Sequence, residues 1–584
     1  MRRWATILVL AALGCAALSA GSGAIRSFDF GWHLRAGESI LEHHGRPPRA
    51  DPIAYTSGSA EWIDHEWLFQ LILALLVQAG GLKGAWLLKQ TLILVGVLVP
   101  AAWLLRMNHS PLAVASLGVL ALAGGRFRFS ARPEMVAVAF LPALLIVLVV
   151  AHRRARRGAR MVPLLALVPI LVLGWVNLHL SALLAALLVV VFALAVLIEQ
   201  RGTDRISRPF LVTAVLAGAA LLANPYGTRL LAVPFSIHTA LTSGGLTNPE
   251  WGSALHSRFG LFWTVLLAAG TGLLLARRAG RRMVLPVAAC AAVLAVAGGA
   301  AARTLSCFYM ALPVCALAVT TGKQSGAAQE VRAGWRGRVS AGAAVGLPLL
   351  AAGLFMLFPG GAPGGVGLAP GRFPEAMAST YQEMGLRGPI YNPVRFGGYL
   401  SWALAPQKVF IDGRNEVHGE LLSRLAACRM ATRLECWDRL VERWDTQAAF
   451  VEYDPRRIPV RLPDGRFISR SVSSVYFRRD SWALVDWDDV AMLLVRRGGR
   501  NAERIDGQED RVLMPEDPEY FYRELRAGRI DWREAQREVS RRLARHPDSR
   551  KARLLQEIVR RLEVEVNEGK NRPPVVRVTG SGGD

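Results

Sequence analysis

The stretch that decides the fold class is residues 135–160, MVAVAFLPALLIVLVVAHRRARRGAR. Residues 135–152 are almost wholly apolar, and as a helix they would nearly cross a hydrocarbon core of about 30 Å. Residues 153–160 then carry a dense group of arginines. Basic loops of membrane proteins stay in the cytoplasm because their charges resist translocation. The stretch therefore predicts a membrane-spanning helix whose carboxyl end faces the cytosol.

The same pattern recurs along the first part of the chain. Further apolar stretches lie at 4–24, 84–105, 111–125, 162–178, 181–199, 209–224, 260–277, 283–300, 304–320 and 340–358. The 584 residues are 52% hydrophobic, and their mean hydropathy is +0.28. This composition excludes a cytosolic enzyme, a disordered chain and a disulfide-rich secreted domain. It indicates a multi-pass α-helical membrane protein.

The basic loops determine the predicted topology. The apolar stretch 66–80 is short, and it either spans the membrane or lies in the interface. If it lies in the interface, the loops 153–160, 201–208, 277–282 and 323–338 all fall on the cytoplasmic side, as the positive-inside rule favours. We therefore predict about eleven transmembrane helices in a bacterial inner membrane, with the amino terminus cytoplasmic and the carboxyl-terminal domain periplasmic. Small residues near Ala20–Ala24 also fit a signal-peptide cleavage site, and cleavage there would leave this topology unchanged.

Charge separates the chain into two parts. Residues 1–358 carry 31 Lys/Arg and 12 Asp/Glu, whereas residues 359–584 carry 38 and 33. The net charge of +24 arises mostly from loops between apolar spans, so no nucleic-acid partner is expected. The predicted parts are a transmembrane domain 1–358 with a first periplasmic loop 25–83, a Gly/Pro-rich linker 359–373, a periplasmic α/β domain 374–500, a helical tail 515–566 and a disordered end 567–584.

The carboxyl-terminal part has its own local signals. Strands are predicted at 389–392, 408–412 and 448–453, and a hairpin at 482–487 and 490–495. The tail is similar to a tetratricopeptide-like helical hairpin. Cys428 and Cys436 would lie about 12 Å apart on one continuous helix, so a disulfide between them requires an intervening turn.

Polar residues of the first part collect on the predicted outer face. Nine of its acids fall on outer loops: Asp29, Glu38, Glu42, Asp51, Glu61, Asp64, Glu66, Glu134 and Glu250. The same face collects His33, His65, Arg126, Arg128, Arg132, Asn177, His179, Asn224, Tyr226 and Arg303. A hydrated loop surface explains many of these residues singly. Their gathering at the ends of spans on one face indicates an active site there.

These segments resemble the GT-C superfamily of polytopic membrane glycosyltransferases. The resemblance rests on the order and common side of five short segments. They are Asp29-Phe-Gly-Trp-His33 with the long loop after it, Arg126–Glu134 (RFRFSARPE), Trp175–His179 (WVNLH), Asn224–Gly227 (NPYG) and Glu250-Trp251, with Arg303 following. The resemblance implies transfer of a hexosyl or pentosyl unit from a polyprenyl-phosphate carrier to an acceptor on the outer side of the membrane.

The resemblance also assigns roles to the residues. Asp29 takes the acidic position of the first loop, as catalytic base or acceptor-orienting group, although an Asp there can simply cap a helix. His33 lies one helical turn further on and either faces the same cleft or packs in the interface. Arg126, Arg128, Arg132 and Arg303 are candidates for binding the carrier phosphate, and the alternative for some of them is contact with lipid headgroups.

The remaining predicted substrate-binding residues are Asp51, Glu61, His65, Glu66, Asn177, His179, Asn224, Tyr226 and Glu250. Asp51 and the segment Glu61–Glu66 hold either the acceptor or a divalent metal. The chain lacks the adjacent acidic pair that several GT-C families carry after the first span, so no cofactor is assigned and the metal stays open. Asn177 and His179 line a sugar pocket or cap helix ends.

Partners expected of such an enzyme are a lipid-linked sugar donor, membrane lipid, and an acceptor that is a cell-envelope glycan, lipid or protein. Two alternatives remain: a transporter of lipid-linked sugars, and a non-catalytic membrane scaffold with a periplasmic interaction domain. A transporter should show inverted repeats or charges in mid-span, which the sequence lacks. The helical tail fits a scaffold, whereas the crowded first loop fits an enzyme.

Overall fold

The structure is a computed structural model that describes residues 2–58, 62–202, 204–243, 250–254, 262–263, 265–266, 270, 282–318, 320–321, 335–357, 364–430, 434–461 and 465–567. Glu61, most of the predicted span 260–277, linker residues 359–363 and the end 568–584 lie outside these ranges. The chain divides into two compact units. The first unit is Met1–Arg49 with Glu61–Ala369, and the second is Ala50–Ala60 with Pro370–Asp584.

The first unit is helical. Its helices are α1 (Arg2–Ala20), α2 (Phe30–Glu42), α3 (Trp67–Gly80), α4 (Leu82–Arg106), α5 (Pro111–Gly125), α6 (Met135–Ala155), α7 (Val162–Leu165), α8 (Leu167–Leu178), α9 (Ala182–Glu199), α10 (Ser207–Ala220), α11 (Val233–Ser243), α12 (Leu285–Ala300), α13 (Leu305–Ala318) and α14 (Trp335–Leu357). Two short strands, β1 (Arg282–Met283) and β2 (Thr320–Thr321), pair antiparallel.

Several of these helices have the length and composition of membrane spans. Among the described residues, four are long and apolar enough to cross a bilayer: Arg3–Ala20, Leu82–Arg106, Met135–Ala155 and Ala182–Glu199. Six shorter apolar helices accompany them. The number of eleven spans and the predicted orientation stay predictions.

Packing in the first unit fixes the helix ends that carry the candidate site. Helix α1 packs against α4 and α14, and α6 packs against α4 and α13. Two polar side chains of α4 bond to carbonyl groups at the end of α1: Lys89 Nζ donates to Gly23 O at 2.7 Å, and Gln90 Nε2 donates to Leu18 O at 3.2 Å. The carbonyl of Leu18 lies in the last turn of α1, where it has no partner within the helix and needs such a donor. The segment after α1 also pairs with the described part of the predicted linker, where Ile25 N donates to Gly367 O at 2.9 Å.

The second unit is built on a four-stranded sheet with the order β3–β4–β8–β7. β3 (Ile390–Tyr391) is parallel to β4 (Ala448–Glu452), and β8 (Ala491–Arg496) runs antiparallel to β4 and to β7 (Trp482–Trp487). A separate hairpin pairs β5 (Arg457–Arg461) with β6 (Phe467–Ser471). The helices are α15 (Glu375–Glu383), α16 (Val394–Ala403), α17 (Asn415–Met430), α18 (Leu434–Arg443), α19 (Val472–Tyr476), α20 (Pro518–Arg526), α21 (Trp532–Arg545) and α22 (Arg550–Asn567).

Residues Ala50–Ala60 of the first loop belong to the second unit. Tyr55 N donates to Val409 O, and Val409 N donates to Ile53 O, both at 3.0 Å. This pairing is an isolated bridge between Ala54 and Val409, so the strand predicted at 408–412 is wrong. Val409 pairs with the short insertion rather than with the sheet.

The helical tail also packs within the second unit. The guanidinium of Arg542 in α21 is almost fully buried and bonds to the carboxylates of Asp486 in β7 and of Asp510, both of which are inaccessible to solvent. Glu538 accepts from the backbone N–H groups of Arg511, Val512 and Leu513 at 2.7–3.2 Å. These buried charged bonds attach the tail to the sheet.

A disulfide joins Cys428 of α17 to Cys436 of α18, with 5.7 Å between their Cα atoms. The two cysteines therefore lie on successive helices, which meets the condition that the sequence set for a bond between them.

Candidate active site

Four of the predicted arginine and carboxylate residues of the first unit form one cluster with Glu134 at helix ends. We call Asp29, Arg128, Arg132, Glu134 and Glu250 the arginine–carboxylate cluster. Arg132 forms an ion pair with Asp29 and lies 3.4 Å from Glu134 and 3.5 Å from Glu250. Arg128 pairs with Glu134 and with Glu250 at 2.8 Å. Two guanidinium groups thus bridge three carboxylates.

Local structure brings these side chains together. Asp29 immediately precedes α2, and Glu134 immediately precedes α6. Between α5 and α6 the chain makes a 3₁₀ turn at Arg126–Arg128, then a tight bend in which Arg132 N donates to Ser130 O at 2.8 Å. A carboxylate at a helix amino terminus is favoured by the partial positive charge of the exposed N–H groups.

Electrostatics keep the cluster ionised. Burial alone would raise the pKa of Glu134, but Arg132, Arg128 and Arg303 together hold it well below its usual range. Burial likewise opposes ionisation of Glu250, and Arg132 and Arg128 again lower its pKa. The sequence analysis placed Glu134 on the outer face but gave it no role in the site. Its position directly after Arg132-Pro133 and before an apolar span was the signal that could have identified it.

Arg303 lies beside this cluster on the turn before α13. Its backbone N–H donates to Glu250 O at 2.9 Å, and its guanidinium carbon lies 4.3 Å from the centre of the Trp251 ring. Among the residues that the structure describes, no carboxylate lies within ion-pair distance of the Arg303 guanidinium. Burial and the neighbouring Arg128 and Arg132 lower its pKa, while Glu134 and Glu250 oppose this change. A buried guanidinium without a nearby carboxylate among the described residues can bind an anion such as a phosphate.

A second cluster surrounds Glu66, and we call it the histidine–glutamate cluster. Nδ1 of His33 lies 3.5 Å from one carboxylate oxygen of Glu66. Nε2 of His179 and Nε2 of His65 lie 3.5 Å and 3.6 Å from the other oxygen. All four side chains are buried or nearly so. The side chain of His33 therefore faces Glu66, whereas that of Asp29 faces Arg132.

The tautomer of His179 follows from its contacts. The backbone N–H of Ser181 donates to Nδ1 at 3.1 Å, so Nδ1 is the acceptor and the proton resides on Nε2, which faces Glu66. Burial lowers the pKa of His179 to about 3, and the charges of Arg303 and Glu134 act on it in opposite directions. His179 is thus a neutral donor near neutral pH. Its electrostatic interactions with Glu134 and Arg303 place the two clusters next to each other.

Other predicted residues have different surroundings. Asn177 accepts from Trp67 Nε1 at 3.0 Å and donates to carbonyls of Leu173 and Ala223, so it joins helices. Asn224 bonds within its own turn, which also contains Tyr226. Arg126 lies over the ring of Phe355 at 4.6 Å. Asp51 belongs to the second unit, where Arg414 binds both of its carboxylate oxygens.

The metal alternative finds no donor set in the described part of the chain. There, no group of three or more His, Cys, Asp or Glu side chains has the arrangement of a metal site. The histidine–glutamate cluster consists of three imidazoles that lie 3.5–3.6 Å from the oxygens of one carboxylate.

Comparison with known proteins identifies the fold. No protein-family model and no curated protein sequence matches the chain. The apo oligosaccharyltransferase of Archaeoglobus fulgidus aligns with a TM-score of 0.51 and 10% identity, over 80% of this chain and 74% of that one. AglB of the same organism, in complex with an inhibitory peptide and a dolichol-phosphate, aligns with a TM-score of 0.50 and 9% identity, over 97% and 86%.

A third solved structure, ArnT from Cupriavidus metallidurans bound to undecaprenyl phosphate, covers 87% of this chain and 99% of its own at a TM-score of 0.47 and 13% identity. The first two similarities show that the chain shares the fold of these oligosaccharyltransferases. The chain is a helical protein with apolar helices of the membrane-spanning type.

Proposed function

We propose that the chain is a membrane glycosyltransferase that moves a sugar from a polyprenyl-phosphate-linked donor to an acceptor on the periplasmic face. The reaction inverts the anomeric carbon. The single observation that carries this proposal is the group of arginines and carboxylates at helix ends of a GT-C fold, with Arg303 beside it. Such a group supplies both a phosphate site and a carboxylate for the acceptor.

The phosphate of the donor is expected to bind Arg303 first. This guanidinium has its ring contact with Trp251 but no carboxylate partner among the described residues, so binding an anion there breaks no ion pair. Arg128 and Arg132 lie in the same cluster and add positive charge as the leaving oxygen becomes negative. A phosphate leaving group needs this charge more than it needs a general acid, because its oxygen is already weakly basic.

Asp29 is the proposed base or orienting group for the acceptor. The acceptor hydroxyl oxygen attacks the anomeric carbon as the bond from that carbon to the phosphate oxygen breaks. Its proton passes to the Asp29 carboxylate, and polyprenyl phosphate leaves. Attack on the face opposite the phosphate gives inversion. His33, one turn further along α2, supports this site through Glu66 rather than by touching the acceptor.

Donor binding and base strength are coupled in this arrangement. In the free protein Asp29 is paired with Arg132, and a paired carboxylate is a weak base. When the donor phosphate binds the arginines, Arg132 neutralises less of the charge on Asp29. The Asp29 carboxylate then accepts a proton more readily. The base would then be strongest when the donor is bound.

The test compares the purified parent protein with Asp29→Asn in lipid nanodiscs, using a panel of polyprenyl-phosphate sugars and periplasmic extracts as acceptors. We expect turnover by the parent with at least one donor and a loss of about 10²–10⁴-fold in the variant, with donor binding retained. Glu42→Gln is the matched control, because Glu42 lies on the same helix α2, is half exposed and pairs with Arg35.

Equal turnover by parent and Asp29→Asn would remove Asp29 from the mechanism. Absence of turnover by the parent with every donor, although the donors bind, would favour a scaffold over an enzyme.

A further inference from the structure

The β5–β6 hairpin is separate from the sheet of the second unit. In the described part of the chain its strands pair with each other, and neither pairs with a strand of the four-stranded sheet. The register runs from Arg457 opposite Ser471 to Arg461 opposite Phe467. A two-stranded hairpin is only marginally stable by itself, so contacts outside the ladder must hold it in place.

Asp517 holds the base of the hairpin. Its side chain is inaccessible to solvent. It accepts from Nη2 of Arg457 and Nε of Arg470, both at 2.9 Å, and from the backbone N–H of Ser471 at 3.1 Å. The guanidinium carbon of Arg470 also lies 3.6 Å from the centre of the Tyr520 ring. Charged hydrogen bonds of this kind are stronger than neutral ones, so the base is fixed to the segment before α20.

The other end of the hairpin exposes an aromatic ring beside arginines. We call Arg461, Arg466 and Phe467 the hairpin tip. Phe467 is 68% exposed, and both arginines are exposed as well. Arg461 is the cross-strand neighbour of Phe467, so the two side chains share one face. Among the residues that the structure describes, no carboxylate forms an ion pair with Arg461. A single exposed ring is common on protein surfaces, and the cations beside this one define what it can bind.

The charge of the hairpin complements an anionic lipid surface. Residues 456–470 contain five arginines and one aspartate. Each arginine near an anionic bilayer raises the affinity for it about fivefold. A guanidinium also bonds to a phosphate through two parallel N–H groups. Aromatic rings are enriched at the level of the lipid headgroups, where they lie partly in the apolar layer. The hairpin tip combines both features.

The exposed face is too small for a stable protein interface. Two strands of five residues cover about 17 Å by 10 Å, whereas a stable interface takes about 800 Å² from each partner. A lipid surface makes no such demand, because single side chains enter the headgroup layer one by one. The same chain carries apolar helices of the membrane-spanning type. A bilayer surface is therefore present at a high effective concentration.

We propose that the hairpin tip binds the surface of a bilayer that contains anionic phospholipid. The ring of Phe467 enters the headgroup layer, Arg461 and Arg466 bond to lipid phosphates, and Asp517 keeps the base of the hairpin rigid. The contact is separate from the transfer of a sugar and does not depend on turnover. It gives the second unit an attachment to the membrane in addition to its covalent link to the first.

The experiment places a fluorescent label on the hairpin of the full-length protein. Ser469→Cys lies on the same face as Phe467, and it is labelled with bimane in a background that keeps the disulfide but lacks the free cysteines. The protein is reconstituted into nanodiscs that contain a lipid with a spin-labelled headgroup. The remaining lipid is phosphatidylcholine, alone or mixed with an equal part of phosphatidylglycerol. We expect quenching about twofold or more stronger with phosphatidylglycerol. It should weaken as salt approaches about 1 M, where screening limits the attraction to about 3 Å.

Arg461→Gln should lower the additional quenching by about half or more, since the loss of one arginine costs about fivefold in affinity. Phe467→Ser should lower quenching in both kinds of nanodisc. Arg560→Gln is the matched control, because Arg560 is exposed on α22 and its loss removes the same charge from the same unit. It should behave as the parent does.

Equal quenching in neutral and anionic nanodiscs would overturn the proposal. Equal effects of Arg461→Gln and Arg560→Gln would do so too, because they would reduce the attraction to the overall charge of the unit. Absence of quenching in both kinds of nanodisc would also overturn it and would assign the hairpin tip to a protein partner instead.

Discussion

At the scale of single residues, the candidate site shows how burial and counter-charge compete. Glu134 lies in a partly buried position that disfavours its charge, yet three arginines around it reverse the effect. Its folded-state pKa is lowered, so its charge stabilises the protein at pH values above the ordinary glutamate pKa of about 4.5. That contribution is lost as pH falls through the lowered folded-state pKa.

Glu134→Gln should therefore destabilise the protein in a pH-dependent way. Removing the charge leaves Arg128 and Arg132 short of a partner, and we expect a loss of about 1.5–3 kcal/mol between pH 5 and 8. The difference from the parent should shrink as pH falls below the ordinary glutamate pKa of about 4.5, because the unfolded parent then takes up a proton while folded Glu134 stays ionised. Thermal unfolding of both proteins across this pH range measures it.

Glu38→Gln serves as the control for this measurement. Glu38 pairs with Arg35 at 3.5 Å on a more exposed surface, and loss of such a pair costs about 0.5 kcal/mol. A destabilisation by Glu134→Gln that stays constant down to pH 3 would contradict a lowered pKa.

Single residues also show how much of the candidate site could be predicted from the sequence. The acids and arginines at the ends of apolar spans were visible because charges are rare there. The sequence did not show which carboxylate pairs with which arginine, since Asp29 and Asp51 lie in the same predicted loop. Asp29 meets Arg132 in the first unit, whereas Asp51 meets Arg414 in the second, more than 350 positions away.

At the scale of elements, the contact of Asp51 with Arg414 ties an eleven-residue insertion to the second unit. Arg414 donates to both oxygens of Asp51 at 2.9 Å and to those of Asp412 at 2.6 and 2.8 Å. All three side chains are inaccessible to solvent. Burial opposes the charge of Arg414, but Asp412 and Asp51 raise its pKa above the ordinary value.

Arg414→Met should strongly destabilise the second unit. The substitution leaves two buried carboxylates without a cation, which costs about 3–5 kcal/mol. Denaturant unfolding followed by tryptophan fluorescence measures the loss. Limited proteolysis should also begin within residues 50–60, because this segment loses the bonds of Asp51 to Arg414.

Arg424→Met is the control for the buried cation, since Arg424 forms an exposed pair with Glu420 on α17. It should change stability by no more than about 0.5 kcal/mol. Equal stability of the two variants would mean that the bonds of Asp51 to Arg414 contribute little to holding the insertion.

Elements could be predicted where a local pattern determines them. The hairpin of β7 and β8 has apolar runs on either side of Asp488-Asp489, and it forms. The hairpin of β5 and β6 was missed because its strands are short, arginine-rich and largely exposed, so they lack a buried apolar face. The attachment of the tail through Arg542 could not be predicted, since it joins residues 32 and 56 positions apart.

At the scale of the whole molecule, the topology rests on charge. The loop 153–160 carries five arginines, whereas the second unit contains a disulfide between Cys428 and Cys436. Disulfides persist in the periplasm and are rare in the cytosol. Both observations favour a cytoplasmic loop and a periplasmic second unit, and the sequence alone supplied the first of them.

Single cysteines at exposed positions test this orientation. In a background that keeps the disulfide but lacks the free cysteines, Asp548→Cys in the second unit should react with a membrane-impermeant maleimide in right-side-out membrane vesicles. Arg157→Cys in the basic loop should react only after the vesicles are opened, because the membrane separates it from the reagent. Both positions are exposed, so access to the side chain does not limit the reaction. Labelling of Arg157→Cys in sealed vesicles would reverse the orientation and remove the periplasmic acceptor from the proposed reaction.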